Sequence, residues 1–179
     1  MKLTERQKEL LQFVKDSHGD QKRKYTGEPY WNHVYSVAEI ISEYDIKGIE
    51  IALCHDLFED TDVQMPELLK FLTQSGYSNE EAQFIVNGVN DLTDIFTKEN
   101  YPKLNRKDRK KLEAERLGKV NSLSQSVKYA DLIDNTRSLS EHDKGFAKVY
   151  LSEKRQMLDQ MRRGNCDLLL RCEKQVFEL

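Results

Sequence analysis

Four ionisable side chains occupy six consecutive positions in His55-Asp56-Leu57-Phe58-Glu59-Asp60, directly after the apolar run Ile49 to Leu53. An adjacent imidazole and carboxylate can aim at one metal ion from the end of a helix. Glu59 and Asp60 follow four residues behind His55 and Asp56, so a helix would project all four on one side. Charges that enter a core must be paired or must coordinate something. The same text also fits a solvated acidic helix end carrying a hydrogen-bonded histidine. Taken alone, it leaves both readings open.

Two more residues bear on that choice. His33 follows a turn and shares the apolar stripe of its helix with Val37, four residues on. A single histidine there is more often a hydrogen-bonded core residue than a ligand. Asp131 lies in the apolar stretch Val127 to Ile133, where an unpaired carboxylate would be costly. Two imidazoles and two carboxylates would leave room for water on an octahedral ion. Such a set suits manganese, iron or magnesium better than a closed thiolate zinc site.

The elements that must position these groups read as helices throughout. The first starts at Thr4, with Gln7 completing a capping box, and buries Leu10, Leu11 and Val14. A polar loop from about His18 ends in Gly27-Glu28-Pro29, a helix breaker. A second helix over about Trp31 to Tyr44 carries Val37, Ile40, Ile41 and Tyr44 inward, and a third covers roughly Lys47 to Phe58 with Ile49, Ala52 and Leu53 inward. Pro66 suits the first turn of a fourth helix, which Gly76 ends. Ser78 and Glu81 cap a fifth. Further helices are expected in the second half of 102–118, over about Ser122 to Asn135, over Lys144 to Arg163 and over Asp167 to Phe177. Nothing reads as a strand.

Composition sets the outer bounds. With 179 residues, 33% charged and 38% hydrophobic, and only three prolines and eight glycines, the chain suits one all-α domain spanning 1–179. A net charge of -3 argues against a nucleic-acid partner. No apolar run is long enough to cross a bilayer, so no membrane partner is expected. The three cysteines, Cys54, Cys166 and Cys172, form neither a disulfide framework nor a thiolate site. Together with the lack of a signal-type start, they point to a reducing cytoplasm. Cys166, Cys172 and Trp31 read as packing. The basic run Lys103, Arg106, Lys107, Arg109, Lys110 and Lys111 reads first as a solvated helical face, and second as a segment that attracts a highly phosphorylated substrate.

His33, the His55-Asp56 pair and Asp131 match the H…HD…D signature of the HD phosphohydrolase superfamily. The wider text is more specific. His18 to Lys24 followed by Gly27 to His33 resembles the HxxQxRK…GxPYxxH opening of alarmone hydrolase domains. His55-Asp56-Leu57-Phe58-Glu59-Asp60-Thr61 resembles their HDxxEDT block, and Lys128 to Leu139 is similar to their third. These are the hydrolase halves of RelA/SpoT enzymes and the small stand-alone alarmone hydrolases. The likeness covers about His18 to Arg155.

The resemblance implies an all-α, single-domain helical bundle of the HD type. It further implies manganese-dependent removal of the 3′-pyrophosphate from (p)ppGpp, with a small-molecule nucleotide as the partner. Carried over by position, His33, His55, Asp56 and Asp131 are the ligands, and Glu59 and Asp60 activate water and move protons. Arg23 packs against guanine with Lys24 beside it, and Asn135 and Ser138 touch the nucleotide. Three positions depart from the pattern: Val34 stands for a usual proline, Leu132 for a common basic residue, and Asp134 precedes the matching asparagine. An HD phosphatase acting on NADPH or a nucleoside monophosphate, or a catalytically silent alarmone-binding domain, would carry much of the same text.

Overall fold

The structure, a computed structural model, describes residues 1–142 and 144–177, and the side chains of all of these except 138–149. It is helical, and its one pairing of extended backbone among the described residues is an isolated antiparallel bridge between Lys22 and Pro29. The chain divides into two compact units, Met1–Thr93 and Asp94–Leu179.

In the first unit, α1 (Glu5–His18) opens as expected, with Thr4 and Gln7 in a reciprocal capping box, and Gly19 at φ 51 closes it. Only a left-handed residue fits at that closure. After a loop, α2 (Trp31–Ser42) packs on α3 (Ile49–Cys54), which also contacts α1. Their interface buries Leu10, Val14, Val37, Ile41, Ile51 and Leu53 completely. Leu11, expected inside, is half-buried. Then come α4 (Leu57–Asp60), α5 (Met65–Gln74) and α6 (Asn79–Leu92). Pro66 lies in the first turn of α5, and Ser78 with Glu81 forms the capping box of α6.

The single helix expected over roughly Lys47 to Phe58 is divided. A short 3-10 turn over Ile46–Gly48 precedes α3, and the α-ladder stops at Cys54 before resuming at Leu57. Asp56, at φ -99 and ψ 0, lies in the bridge region between helix and extended backbone. The break follows from side-chain chemistry: the His55 ring turns back and donates from Nδ1 to the Ala52 carbonyl at 2.8 Å. Helical propensity along Ile49 to Phe58 contains no sign of that competing bond.

In the second unit, α7 (Arg106–Leu117), α8 (Ser122–His142), α9 (Lys144–Gln160) and α10 (Cys166–Phe177) pack around Leu117, Val127, Leu132, Ile133, Leu158 and Cys172. α8 runs beyond the expected Asn135. Buried Gln125 replaces missing backbone partners: its amide nitrogen donates to the carbonyls of Leu117, Gly118 and Val120, and its oxygen accepts from the Arg163 amide. Cys172 packs as expected, but Cys166 is exposed, so that part of the packing reading fails. It sits at the first, solvated turn of α10.

Gly164 is the tightest point of this unit. A Cβ there would sit 2.4 Å from Cε2 of Tyr129, whose hydroxyl is tied to the Met161 carbonyl at 2.7 Å. Tyr129 is fully buried and cannot swing away. We therefore expect Gly164→Ala to cost about 1–3 kcal/mol by overpacking, lowering Tm by roughly 3–10 °C in a circular-dichroism melt. An unchanged Tm would mean that this contact relaxes freely.

Candidate metal centre

Three of the expected ligands come together within the first unit. His33 enters from the first turn of α2 and His55 from the end of α3, and both are almost wholly buried. Their rings meet edge to face with centroids 5.1 Å apart. Asp56 Oδ2 lies 3.1 Å from His55 Nε2 and 3.5 Å from His33 Nε2. The ring-to-carbonyl bond of His55 also fixes its tautomer. A carbonyl only accepts, so Nδ1 carries the proton and Nε2 presents its lone pair toward Asp56. Neighbouring ligands of an octahedral ion with bonds of about 2.1 Å lie roughly 3 Å apart, so these spacings fit a divalent cation. The donor set, imidazole nitrogen and carboxylate oxygen without thiolate, fits one as well.

Glu59 and Asp60 are exposed in α4, one turn beyond Asp56, whose carbonyl accepts from both of their amides. A buried donor cluster thus borders two solvent-facing carboxylates. Arg23 is half-buried and Lys24 exposed in the loop between α1 and α2, with Lys24 Nζ 5.2 Å from the Tyr25 ring.

Asp131 belongs to the second unit. It is 4% exposed on α8, held by Lys128 Nζ at 2.8 Å and by the side-chain amide of Asn135. Asn135, expected at the nucleotide, therefore also steadies a candidate ligand. Ser138 lies outside the described side chains. Leu132 and Val34, two of the departures, are fully buried and serve packing. The basic run is mostly engaged: Arg106 makes a two-pronged pair with Glu153, Lys110 bonds Asp94 at 3.0 Å, and Arg109 binds the Leu104 carbonyl. That favours the structural reading of α7.

Reading the sequence missed the partners of the acidic residues. Tyr30 donates its hydroxyl to Asp56 Oδ2 at 2.7 Å, and Gln21 donates its amide to Asp60 Oδ2 at 3.1 Å. Burial, then the charges of Asp56 and Asp60, push the Tyr30 phenol well above its usual range. His18, Gln21 and Tyr30 all stand in the motif blocks, yet nothing local in the sequence says which carboxylate each one meets.

A helical chain that presents an adjacent His-Asp pair beside a second buried histidine has the architecture of HD proteins. The HD domain matches residues 11–154, and the chain belongs to that family. It is 28% identical over 176 residues to the Drosophila melanogaster protein named guanosine-3′,5′-bis(diphosphate) 3′-pyrophosphohydrolase MESH1, covering 93% of this chain and 90% of that one. The Homo sapiens protein of the same name is 33% identical over 138 residues, covering 74% and 68%. A solved structure of a metazoan ortholog of SpoT, described as hydrolysing ppGpp, superposes with a TM-score of 0.80 at 25% identity, covering 99% of this chain and 97% of that one. Among the described residues, no helix is long and apolar enough to cross a membrane.

Electrostatics around Asp131 add a pH dependence. Burial first, and then the like charge of Lys128, push the half-buried Lys154 ammonium down from 10.5 to about 8. Burial raises the nearby Asp94 carboxyl, but the charges of Lys128 and Lys110 outweigh it and hold that group below the usual carboxylate range. For Lys154 the unfolded chain binds the extra proton between about pH 8 and 10.5, so this group's contribution to stability improves as pH rises through that window. Lys154→Met should therefore melt higher than wild type at pH 7, with the gap narrowing toward pH 10. Paired thermal melts across pH 7–10 would show it, and a gap that stays constant would rule out the depressed lysine as its source.

Proposed function

We propose that the chain, acting as one HD hydrolase domain over 1–179, removes the 3′-pyrophosphate of (p)ppGpp to give GDP or GTP and pyrophosphate, in a cytoplasmic, stringent-response setting. The observation that carries this reading is a His33-His55-Asp56 cluster, both imidazoles buried, bordered by the exposed carboxylates Glu59 and Asp60 in an HD-family chain. The alarmone is favoured over other nucleotides by the near full-length likeness to proteins named for that reaction. The acidic pair also weighs against a silent binding domain, which has no need of it.

His33, His55, Asp56 and Asp131 would hold one divalent ion, with manganese the proposed metal. When bound, such an ion supplies a water of lowered pKa and relieves charge on a phosphoryl oxygen. The chain's own residues supply the rest. Glu59 and Asp60, facing solvent beside the ligands, orient the attacking water, take its proton and return one to the leaving oxygen. Arg23 stacks on the guanine as a flat cation, and Lys24 lies along the phosphates. Asn135 and Ser138 are the proposed nucleotide contacts from α8.

The test is a manganese-dependent assay of purified protein on ppGpp, NADPH and dGMP, following pyrophosphate and phosphate release. Pyrophosphate from ppGpp alone is expected. Phosphate from NADPH or dGMP with nothing from ppGpp would transfer the activity to another nucleotide, and tight ppGpp binding without turnover would make the domain a sensor. We expect Glu59→Gln and Asp60→Asn each to lower kcat at least 100-fold while manganese affinity stays within about threefold, in keeping with the usual size of acid–base effects. Asp131→Asn should instead weaken manganese binding, read by titration without substrate. A variant of Glu59 or Asp60 with wild-type kcat would refute its assigned role.

A further inference from the structure

Residues 19–30 form a short loop tied to itself at several points. Gly27 takes φ 70, a left-handed turn, and its amide reaches the Arg23 carbonyl at 3.0 Å. Arg23 donates to the Glu28 carbonyl at 2.9 Å, and Tyr30 donates to the Gln21 carbonyl at 2.9 Å. The backbone of Gln21 thus fixes Tyr30; the Gln21 amide reaches Asp60, while the Tyr30 hydroxyl donates to Asp56 at 2.7 Å and also lies against Asp60.

The directions of the bonds are determined. A carboxylate only accepts, so Gln21 must turn its amide nitrogen to Asp60 and its carbonyl oxygen to His18. His18 Nδ1 lies 2.8 Å from that oxygen and is therefore the donor. Its Nε2 is buried without a hydrogen-bond partner among the described residues, which places the ring proton on Nδ1. His18 itself is 6% exposed at the last turn of α1, with its ring 4.9 Å from that of Tyr30. The result is a one-way chain from a buried helix end to an exposed carboxylate: His18, Gln21, Asp60. Tyr30 forms the parallel branch, from its half-buried ring to Asp56.

We propose that this loop is a positioning device whose two members have different main duties: Gln21, set by His18, aims Asp60 for proton transfer, and Tyr30, whose hydroxyl bonds Asp56 and also lies against Asp60, chiefly aims Asp56 for the metal. Asp60 is exposed and at the end of a four-residue helix. Without a donor from outside that helix, its carboxylate would rotate among several orientations. Fixing one of them is worth rate without adding binding. Tyr30 acts on a candidate ligand, where orienting partners usually govern affinity. Neither residue has to touch substrate.

This inference rests on the function proposed above for Asp56 and Asp60, and the test separates the two. Gln21→Glu keeps the size and shape of the side chain but replaces the donor with a like charge. It should lower kcat 10- to 100-fold, with KM and manganese affinity each within about threefold of wild type. Tyr30→Phe keeps the ring contacts and removes only the hydroxyl. It should weaken manganese binding about tenfold in a titration followed by electron paramagnetic resonance of the free ion, with no substrate present. His18→Phe should lower kcat in the same direction as Gln21→Glu, by a smaller factor. Wild-type kcat in Gln21→Glu, or wild-type manganese affinity in Tyr30→Phe, would overturn the division of duties. Wild-type protein that binds manganese yet leaves ppGpp intact would instead sink the substrate assignment, and the Tyr30→Phe titration would still decide the positioning claim.

Discussion

Burial of two imidazoles in an otherwise apolar interface is the constraint on which the first unit is built. His33 and His55 lie where α2 and α3 bury Val37, Ile41, Ile51 and Leu53, and each must satisfy its ring nitrogens without water. His55 Nδ1 does so by donating to Ala52. Its Nε2 has no hydrogen-bond partner among the described residues and turns its lone pair to the Asp56 carboxylate, two acceptors that a cation between them would reconcile. The break between α3 and α4 coincides with that ring-to-carbonyl bond. The break in turn brings Asp56 into the bridge region, ends the first run of helix, and starts a short second one that presents Glu59 and Asp60 to solvent. The same local irregularity positions the buried His55, the half-buried Asp56 and the exposed carboxylates Glu59 and Asp60 within six residues.

The loop between α1 and α2 has a complementary task. It contributes no buried apolar side chain to the core, yet it supplies hydrogen bonds to both Asp56 and Asp60 from outside their own segment. A regular helix in that place would offer no backbone donors or acceptors for the Gln21–Tyr30 pairing, because its own ladder would use them. Gly19 and Gly27, both at positive φ, make the alternative path possible at the two points where the chain must turn.

In the second unit, a carboxylate in an apolar helix is held by neighbours of the same helix: Lys128 one turn before and Asn135 one turn after. The ammonium groups of Lys110, Lys128 and Lys154 offset the acidic charge of Asp94 and Asp131 there, and burial together with Lys128 lowers the proton affinity of Lys154 in return. This is a common compromise where function needs a buried charge: the neighbours that stabilise it are themselves partly desolvated.

Much of this was legible in the sequence because the signals are local. Capping boxes at Thr4 and Ser78, Pro66 in a first turn, Gly76 past a helix end and the apolar periodicity of α2 each depend on residues within a turn of one another, so the all-α class followed directly. The identities of His33, His55, Asp56, Glu59 and Asp60 stood out for a similar reason: ionisable groups in apolar runs conflict with burial unless something pairs with them. The tertiary structure alone decided where the third helix breaks, which carboxylates Gln21 and Tyr30 reach, that Leu132 is core, and that Cys166 faces solvent. The two hydrogen bonds depend on partners 26 and 39 residues away, Asp56 for Tyr30 and Asp60 for Gln21. A hydrogen bond over that distance in the chain leaves no periodicity behind, because only packing brings its two ends together.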